Sequence, residues 1–303
     1  MELMTYNYAA FGLNIRTDLK IKGVTEAVVR QDANQISVRL HPAEPSVEPL
    51  ELLFGDKPPL QSLYWPGIAR FDIEKSGVIN IFPCTGVHQQ VLNLPLYGTV
   101  ISTYLHMTGR YVLHANAVKI GANNVAFVGD KGVGKSTTSA AAILQGCNLI
   151  ADDVVALDLN TQKPSIMPGI PLMKLFPDIA EKLLAAETVT FIPPPSPEFP
   201  KKLVRVPCVS SDERPELNAL IFLRPGTALR SERIPAPQAL KSVIEFSHMV
   251  RLPDYGWSKQ ERANFFSDSA KLANNVPSYI VEVPRDLDKL ADLIVFIDAE
   301  LGA

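Results

Sequence analysis

Cysteine is scarce in this chain. Its 303 residues include three, Cys84, Cys147 and Cys208, far apart and without a CxxC pair. An odd, scattered set excludes a disulfide framework and a structural zinc site, and it suits reduced thiols in a cytoplasmic setting. Long apolar runs are missing as well. No stretch reaches the roughly 18 residues that a membrane-spanning helix needs. The opening MELMTYNYAAFG has no basic region followed by an apolar one, so no signal peptide is expected. Positive charge is not in excess: 29 Lys and Arg against 32 Asp and Glu leave a net charge of -3. That balance argues against a general nucleic-acid binder. The histidines, His41, His88, His106, His114 and His248, stand apart with no pair at metal-ligand spacing. There is no internal repeat and no low-complexity tract. What remains is an ordinary composition, 47% hydrophobic and 20% charged, long enough for one large core or two modest ones.

Against that plain background one stretch carries chemistry. Residues 125–153 read VAFVGDKGVGKSTTSAAAILQGCNLIADD. An apolar β-type run, Val125 to Val128, enters Gly129-x-x-x-x-Gly134-Lys135-Ser136, the phosphate-binding loop pattern. An Ala-rich helical run, Thr137 to Gln145, follows, and Gly146 can close it in the left-handed conformation. A second apolar run ends in Asp152 and Asp153. The glycines let backbone N–H groups converge on a phosphate, and the helix adds the positive end of its dipole. Binding is therefore expected from Gly129, Asp130, Lys131, Gly132, Val133, Gly134, Lys135, Ser136 and Thr137. Lys135 would reach the β- and γ-phosphates, and the Ser136 hydroxyl would ligate Mg²⁺.

The rest of the chain frames this stretch. Residues 1–92 read as a β-rich region, with short runs at Tyr6–Ile15, Ala27–Arg30, Gln35–Leu40, Ile68–Glu74 and Val78–Phe82. His41–Pro66 carries six prolines and reads as an irregular excursion. Leu94–Thr108 is the first convincing helix, ended by Gly109. Tyr111–Ile120 reads as one strand with His114 in its middle, where a histidine is more often structural. Further on, Ala180–Ala186, Pro237–Phe246, Glu261–Asn275 and Leu287–Leu301 are helical, while Leu217–Leu223 and Ser278–Val283 are strands. Residues 193–207 hold six prolines and read as a stiff loop, a lid or a plain connector. Arg224, Arg230 and Arg233 fall in a polar loop with a solvated face.

Common nucleotide machines can be set aside. The guanine-specific Asn/Thr-Lys-x-Asp motif is missing, and so is a Ser-Gly-Gly signature of transporter ATPases. What stands out is the carboxylate pair 17 residues after Lys135. Such a pair can be a turn and helix-cap feature. Beside a phosphate loop it can also hold a metal and accept a proton from an attacking hydroxyl. Strand ends joined by short connections lie at one sheet edge, which would bring the pair to the γ-phosphate. Of the two, Asp152 is favoured as the base and Asp153 as the metal-side partner.

HANAVKI, GDKGVGKST and NLIADD, in this order and spacing, resemble the catalytic core of the HPr kinase/phosphorylase family. The opening YNYAAFGLNIRTD, the segment PGIPLMKLFPD and the closing VPRDLDKLADLI are similar to a shorter, related branch associated with peptide modification, including lasso peptide serine phosphorylation. The resemblance implies an α/β fold with a phosphate-loop kinase core over 93–303 and a smaller β-rich region over 1–92. It implies His114, Lys135, Asp152 and Asp153 as catalytic, ATP and Mg²⁺ as cofactors, and a serine hydroxyl of a protein or peptide as acceptor. The bifunctional enzymes carry a Glu-Ile-Arg-Gly-type signature after the Asp pair; this chain has Pro168–Asp178 there, with Lys174 as the nearby cation. A small-molecule kinase, or a regulatory nucleotide-binding protein without transfer, is the alternative. No nucleic acid and no membrane are expected as partners, and a homo-oligomer stays open.

Overall fold

The computed structural model describes residues 4–31, 33–48, 60–184, 189–192, 200–251, 258–284 and 290–302. The architecture is mixed α/β with several sheets. The chain begins as a hairpin, β1 (Tyr6–Ala10) and β2 (Leu13–Thr17), turned by Phe11 and Gly12. Phe11 takes a positive φ of 55°, unusual for a bulky side chain. It is held there because its N–H donates to Pro168 O at 2.7 Å and its ring is buried. Next come β3 (Asn34–Leu40), β4 (Leu60–Trp65), β5 (Ala69–Glu74) and β6 (Val78–Pro83). They complete a sheet of order β1-β2-β3-β6-β5-β4.

One face of that sheet is covered by a single helical rod with a fault in it. The rod runs from α1 (Gln89–Pro95) through a π-helical turn (Leu96–Val100) into α2 (Ile101–Met107). Leu92, Leu96, Ile101 and Leu105 share one core with Ile36, Phe71, Ile79 and Ile81 of the sheet. Pro95 cannot donate to the preceding turn, and Gly98 leaves helical geometry at φ -111° and ψ -107°. Two hydroxyls then secure the fault: Ser102 Oγ donates to Gly98 O and Thr103 Oγ1 to Thr99 O, both at 2.8 Å.

The second half supplies β7 (Tyr111–Leu113), β8 (Ala115–Ile120), β9 (Asn123–Val128), α3 (Lys135–Leu144), β10 (Asn148–Ala151), β11 (Val155–Asp158) and β12 (Ser165–Met167). After these come β13 (Leu172–Leu175), α4 (Pro177–Leu184), β14 (Thr190–Ile192), β15 (Lys202–Arg205), β16 (Ala219–Gly226) and β17 (Arg230–Ile234). The chain closes with α5 (Ala236–Glu245), α6 (His248–Arg251), α7 (Lys259–Asn275), β18 (Ser278–Pro284) and α8 (Leu290–Gly302). The central sheet has the order β10-β8-β9-β16-β18-β17, with β9, β16 and β18 parallel. The buried stretches of its middle strands, Val125–Val128 and Ala219–Leu223, are unbroken apolar runs because both faces are covered. Phe127 faces α3, α4 and α8, and its neighbour Val128 faces α5 and α7. Among the described residues no helix is long and apolar enough to cross a membrane.

Several sequence expectations are corrected. The run Tyr111–Ile120 is two strands in two sheets, broken at His114, because β7 pairs with β11 while β8 pairs with β9 and β10. The stretch His41–Pro66 contains β4, since its last residues pair with β5; residues 49–59 lie outside those described. Ala27–Arg30 is not a strand; Arg30 is instead tied by its N–H to Asn14 Oδ1. The rod begins at Gln89, before Leu94, under a cap from His88. Lys202–Arg205 forms a strand between β13 and β14, so the loop expected over 193–207 is partly sheet; 193–199 lie outside the described residues. Arg224, Arg230 and Arg233 sit in strands and not in a loop: Arg224 extends the parallel pairing of β16 with β18, and Arg230 and Arg233 lie on β17, which pairs antiparallel with β18. Of the expected helix 287–301, residues 287–289 lie outside the described set.

Candidate active site

β9 delivers the chain into the glycine loop. Gly129, Gly132 and Gly134 take φ values of 152°, 88° and 113°. At Gly129 space is tight too, since a Cβ would lie 3.0 Å from Leu223 O on β16. Gly129 is buried, Asp130, Lys131 and Gly132 form the exposed tip, and Val133 and Gly134 lead into α3. Gly134 gives α3 no side-chain cap, so the first-turn N–H groups open into the loop. Lys135, Ser136 and Thr137 form that first turn. Lys135 is buried, and its Nζ donates to Gly129 O at 2.6 Å and Asp130 O at 3.1 Å.

The carboxylate pair reaches the same sheet edge by a route the sequence did not show. β10 is parallel to β9 but not beside it, because β8 runs antiparallel between them. Two strand spacings put the ends of β9 and β10 about 10 Å apart. The start of β8 fills the gap. Ala115 pairs with Val128, so His114 stands next to Gly129, and Ala117 pairs with Ala151 at the end of β10. The break that ends β7 is what leaves His114 at this edge.

The two aspartates have different surroundings. Asp152 is held from both sides by the protein. Its Oδ1 accepts from Asn116 Nδ2 at 2.6 Å and its Oδ2 from the Lys174 backbone N–H at 3.1 Å. Asp153 has a positive φ of 71°, which turns its side chain away from its neighbour's. Its Oδ1 lies 3.0 Å from His114 Nδ1 and its Oδ2 accepts from Lys174 Nζ at 2.7 Å. Among the described residues no hydrogen bond engages His114 Nε2. Burial pushes the Asp152 carboxyl up to about 6, with Lys174 opposing and the Asp153 charge adding to the rise. Burial would raise Asp153 too, but the His114 hydrogen bond and the Lys174 ammonium outweigh it and hold that carboxyl well below the usual range. Burial acts to lower the Lys174 ammonium; the two carboxylates overcome it and raise it.

A cavity of about 300 Å³ opens over His114, Asp153 and Lys174. Its far wall comes from the faulted rod, at Leu94, Gly98 and Thr99, and from His248 of α6. Asp152 does not line it; that residue borders a smaller space of about 70 Å³ with Phe11, Tyr97 and Leu172. The structure thus gathers His114, Asp153 and Lys174 around one space, sets Lys135, Ser136 and the loop glycines at the same sheet edge, and places Asp152 behind. Sequence reasoning missed Asn116, buried and bonded to Asp152. A polar residue inside the apolar strand ANAVKI was the available signal. It also missed His248, Gly98 and Thr99, for which no local signal existed.

Metal binding can be tested against the donors. Among the described residues no group of three or more His, Cys, Asp or Glu could hold a metal alone. Magnesium on a nucleotide takes most of its ligands from phosphate oxygens and water, with one or two hard oxygens from protein. Ser136 and Asp153 are hard oxygen donors of that kind, and the Asp153 oxygens already meet His114 Nδ1 and Lys174 Nζ.

No protein-family model matches the chain, and no curated protein does. Among solved structures, the chain is similar to the Hpr(Ser) kinase/phosphatase from Coxiella burnetii, at 17% identity, over 62% of this chain and 89% of that one, with a TM-score of 0.31. That distant likeness carries neither reaction nor substrate.

Proposed function

We propose that the protein is an ATP-dependent phosphotransferase that moves the γ-phosphoryl group to a hydroxyl, and that the hydroxyl is a serine of a peptide or protein. The observation that carries this reading is the shared sheet edge. A glycine loop with Lys135 at the foot of α3 shares this edge with a His114–Asp153–Lys174 cluster, His114 standing one strand from Gly129 and Asp153 following the end of β10 two strands from β9.

The loop N–H groups and the α3 N-terminus suit the phosphates. Lys135 would exchange its bonds to Gly129 O and Asp130 O for phosphate oxygens. Ser136 and Asp153 would hold Mg²⁺, whose charge offsets that of the phosphates when bound. Base strength separates the remaining roles. A general base works best with a pKa near the working pH and within reach of the proton. Asp152 meets the first condition and fails the second, because both its oxygens accept from protein donors. Asp153 is too weak a base. His114 meets the second condition. In the tautomer that donates Nδ1–H to Asp153, its Nε2 faces away as an acceptor. The acceptor O–H gives its proton to Nε2 and its oxygen bonds the γ-phosphorus. The bond from that phosphorus to the β–γ bridging oxygen breaks, and ADP leaves with the electron pair.

The test is Lys135→Ala, with ATP binding by calorimetry and transfer from γ-labelled ATP to serine peptides by mass spectrometry. Weakened nucleotide binding and lost transfer are expected with the thermal melt unchanged. Wild-type transfer in the variant would remove the loop from the reaction.

A further inference from the structure

The cavity over His114, Asp153 and Lys174 has two walls of different origin. One is the reactive cluster. The other is the π-helical turn of the rod that covers the N-terminal sheet, so the space is bounded jointly by the two halves of the chain. Such turns recur where a helix is bent to serve a site. This one is built in by Pro95, Gly98 and the two hydroxyl bonds from Ser102 and Thr103. Gly98 keeps its wall open: a Cβ there would meet nothing within 4 Å. Polar groups converge on the space from three directions, Thr99 from the rod, His114 and Lys174 from the sheet edge, and the buried His248 from α6. A concave space with a few convergent polar groups is the usual form of a ligand site.

We propose that this cavity is the seat of the acceptor and takes one hydroxyl-bearing group of side-chain size, with Thr99 and His248 as its contacts opposite the reactive cluster. The proposal rests on the phosphotransferase reading and names where the acceptor binds. About 300 Å³ holds on the order of ten water-sized groups. That admits a serine with its flanking peptide units, or a free small alcohol. In the seat the hydroxyl lies against His114, its proton passing to Nε2 and its oxygen to the γ-phosphorus as ADP departs. The cavity does not include the glycine loop among its walls, so filling it from the rod leaves the loop and Lys135 alone.

The experiment fills the cavity from the rod. Thr99→Met sends a longer side chain into it, and Thr99→Leu adds less bulk, should the larger change disturb folding. ATP binding, ATP hydrolysis and transfer are measured on the full chain, with free L-serine and an N-acetylated, C-amidated serine peptide as acceptors. ATP affinity is expected to stay within about twofold, while hydrolysis and transfer fall by roughly 10²-fold, the cost of a small misplacement at a reacting centre. Thr99→Ser, which keeps the hydroxyl, should stay near wild type. Labelling of the peptide alone assigns a peptide-borne serine, and labelling of free serine alone assigns a small alcohol. Normal affinity with unchanged hydrolysis and transfer in a folded Thr99→Met or Thr99→Leu overturns the seat. Failure of the wild-type protein to bind ATP, or to hydrolyse or transfer it, is a separate result that removes the phosphotransferase reading and the seat with it.

Discussion

Asp152 and Asp153 are adjacent in sequence, yet one backbone rotation gives them separate partners. The positive φ at Asp153 sends its carboxylate to His114 and Lys174, while Asp152 faces back into Asn116 and the β13 backbone. Substituting each by asparagine should therefore produce two kinds of defect. Asp153→Asn can offer His114 an N–H where it needs an acceptor, which favours the wrong tautomer. Turnover is expected to fall by about 10²–10⁴-fold, the span seen when general base catalysis is lost. Mg²⁺ affinity should weaken with it, and the denaturation midpoint should drop as well, because the buried Lys174 ammonium loses the carboxylate that offsets its burial. Asp152→Asn places an amide N–H against one of two donors, and leaving a buried donor unmet costs about 1–3 kcal/mol. Its main defect should be stability, read by urea denaturation, with a smaller loss of turnover. If Asp152→Asn is as stable as wild type and Asp153→Asn as fast, the division of labour is wrong.

The glycine loop makes its own demand on backbone geometry. Gly129 combines a φ of 152° with a carbonyl, Leu223 O, only 3.0 Å from where a Cβ would stand. Gly129→Ala should push β9 and β16 apart at the edge that carries the site. A strained backbone position costs on the order of 1–3 kcal/mol, and nucleotide affinity should fall even though no nucleotide-facing side chain has changed. Equal ATP affinity and melting temperature in the variant would contradict this. The strand, loop and helix here were legible in the sequence because each step has a local cause: an apolar run, glycines, an Ala-rich run. The start of α7 was legible too but was placed late, at Glu261. Ser258 and Glu261 form a reciprocal capping box that begins the helix at Lys259. The break at His114 was not legible. Tyr111–Ile120 is uniformly apolar apart from His114, Asn116 and Lys119, and only pairing with distant β11, β9 and β10 decides where it divides. For the same reason the sequence could name His114, Asp153 and Lys174 without showing that they meet.

The two halves of the chain also meet away from the site, and this contact should be visible in the pH dependence of stability. His106, near the end of α2, is held down to about 4 by burial, with Glu261 of α7 opposing. An unfolded histidine titrates near 6.5. Between about 6.5 and 4 the unfolded chain therefore binds the extra proton and the folded one does not, so this residue lowers stability as pH falls through that window. His106→Gln should lose less stability than wild type between pH 7 and pH 5 in urea melts, and equal losses would place the acid sensitivity elsewhere. The strand order has a last consequence, in time. β9, which carries the glycine loop, ends at Val128, but its parallel partner β16 starts only at Ala219, and the two must lie side by side. A ribosome adding about 5–20 residues per second needs on the order of 5–20 s to make the intervening chain. Throughout that interval one flank of β9 has no partner, and an open strand edge recruits whatever strand is nearby. Slower translation across residues 129–218 should lengthen this exposure, so synonymous changes that alter the pace there would change the yield of soluble protein without altering an amino acid.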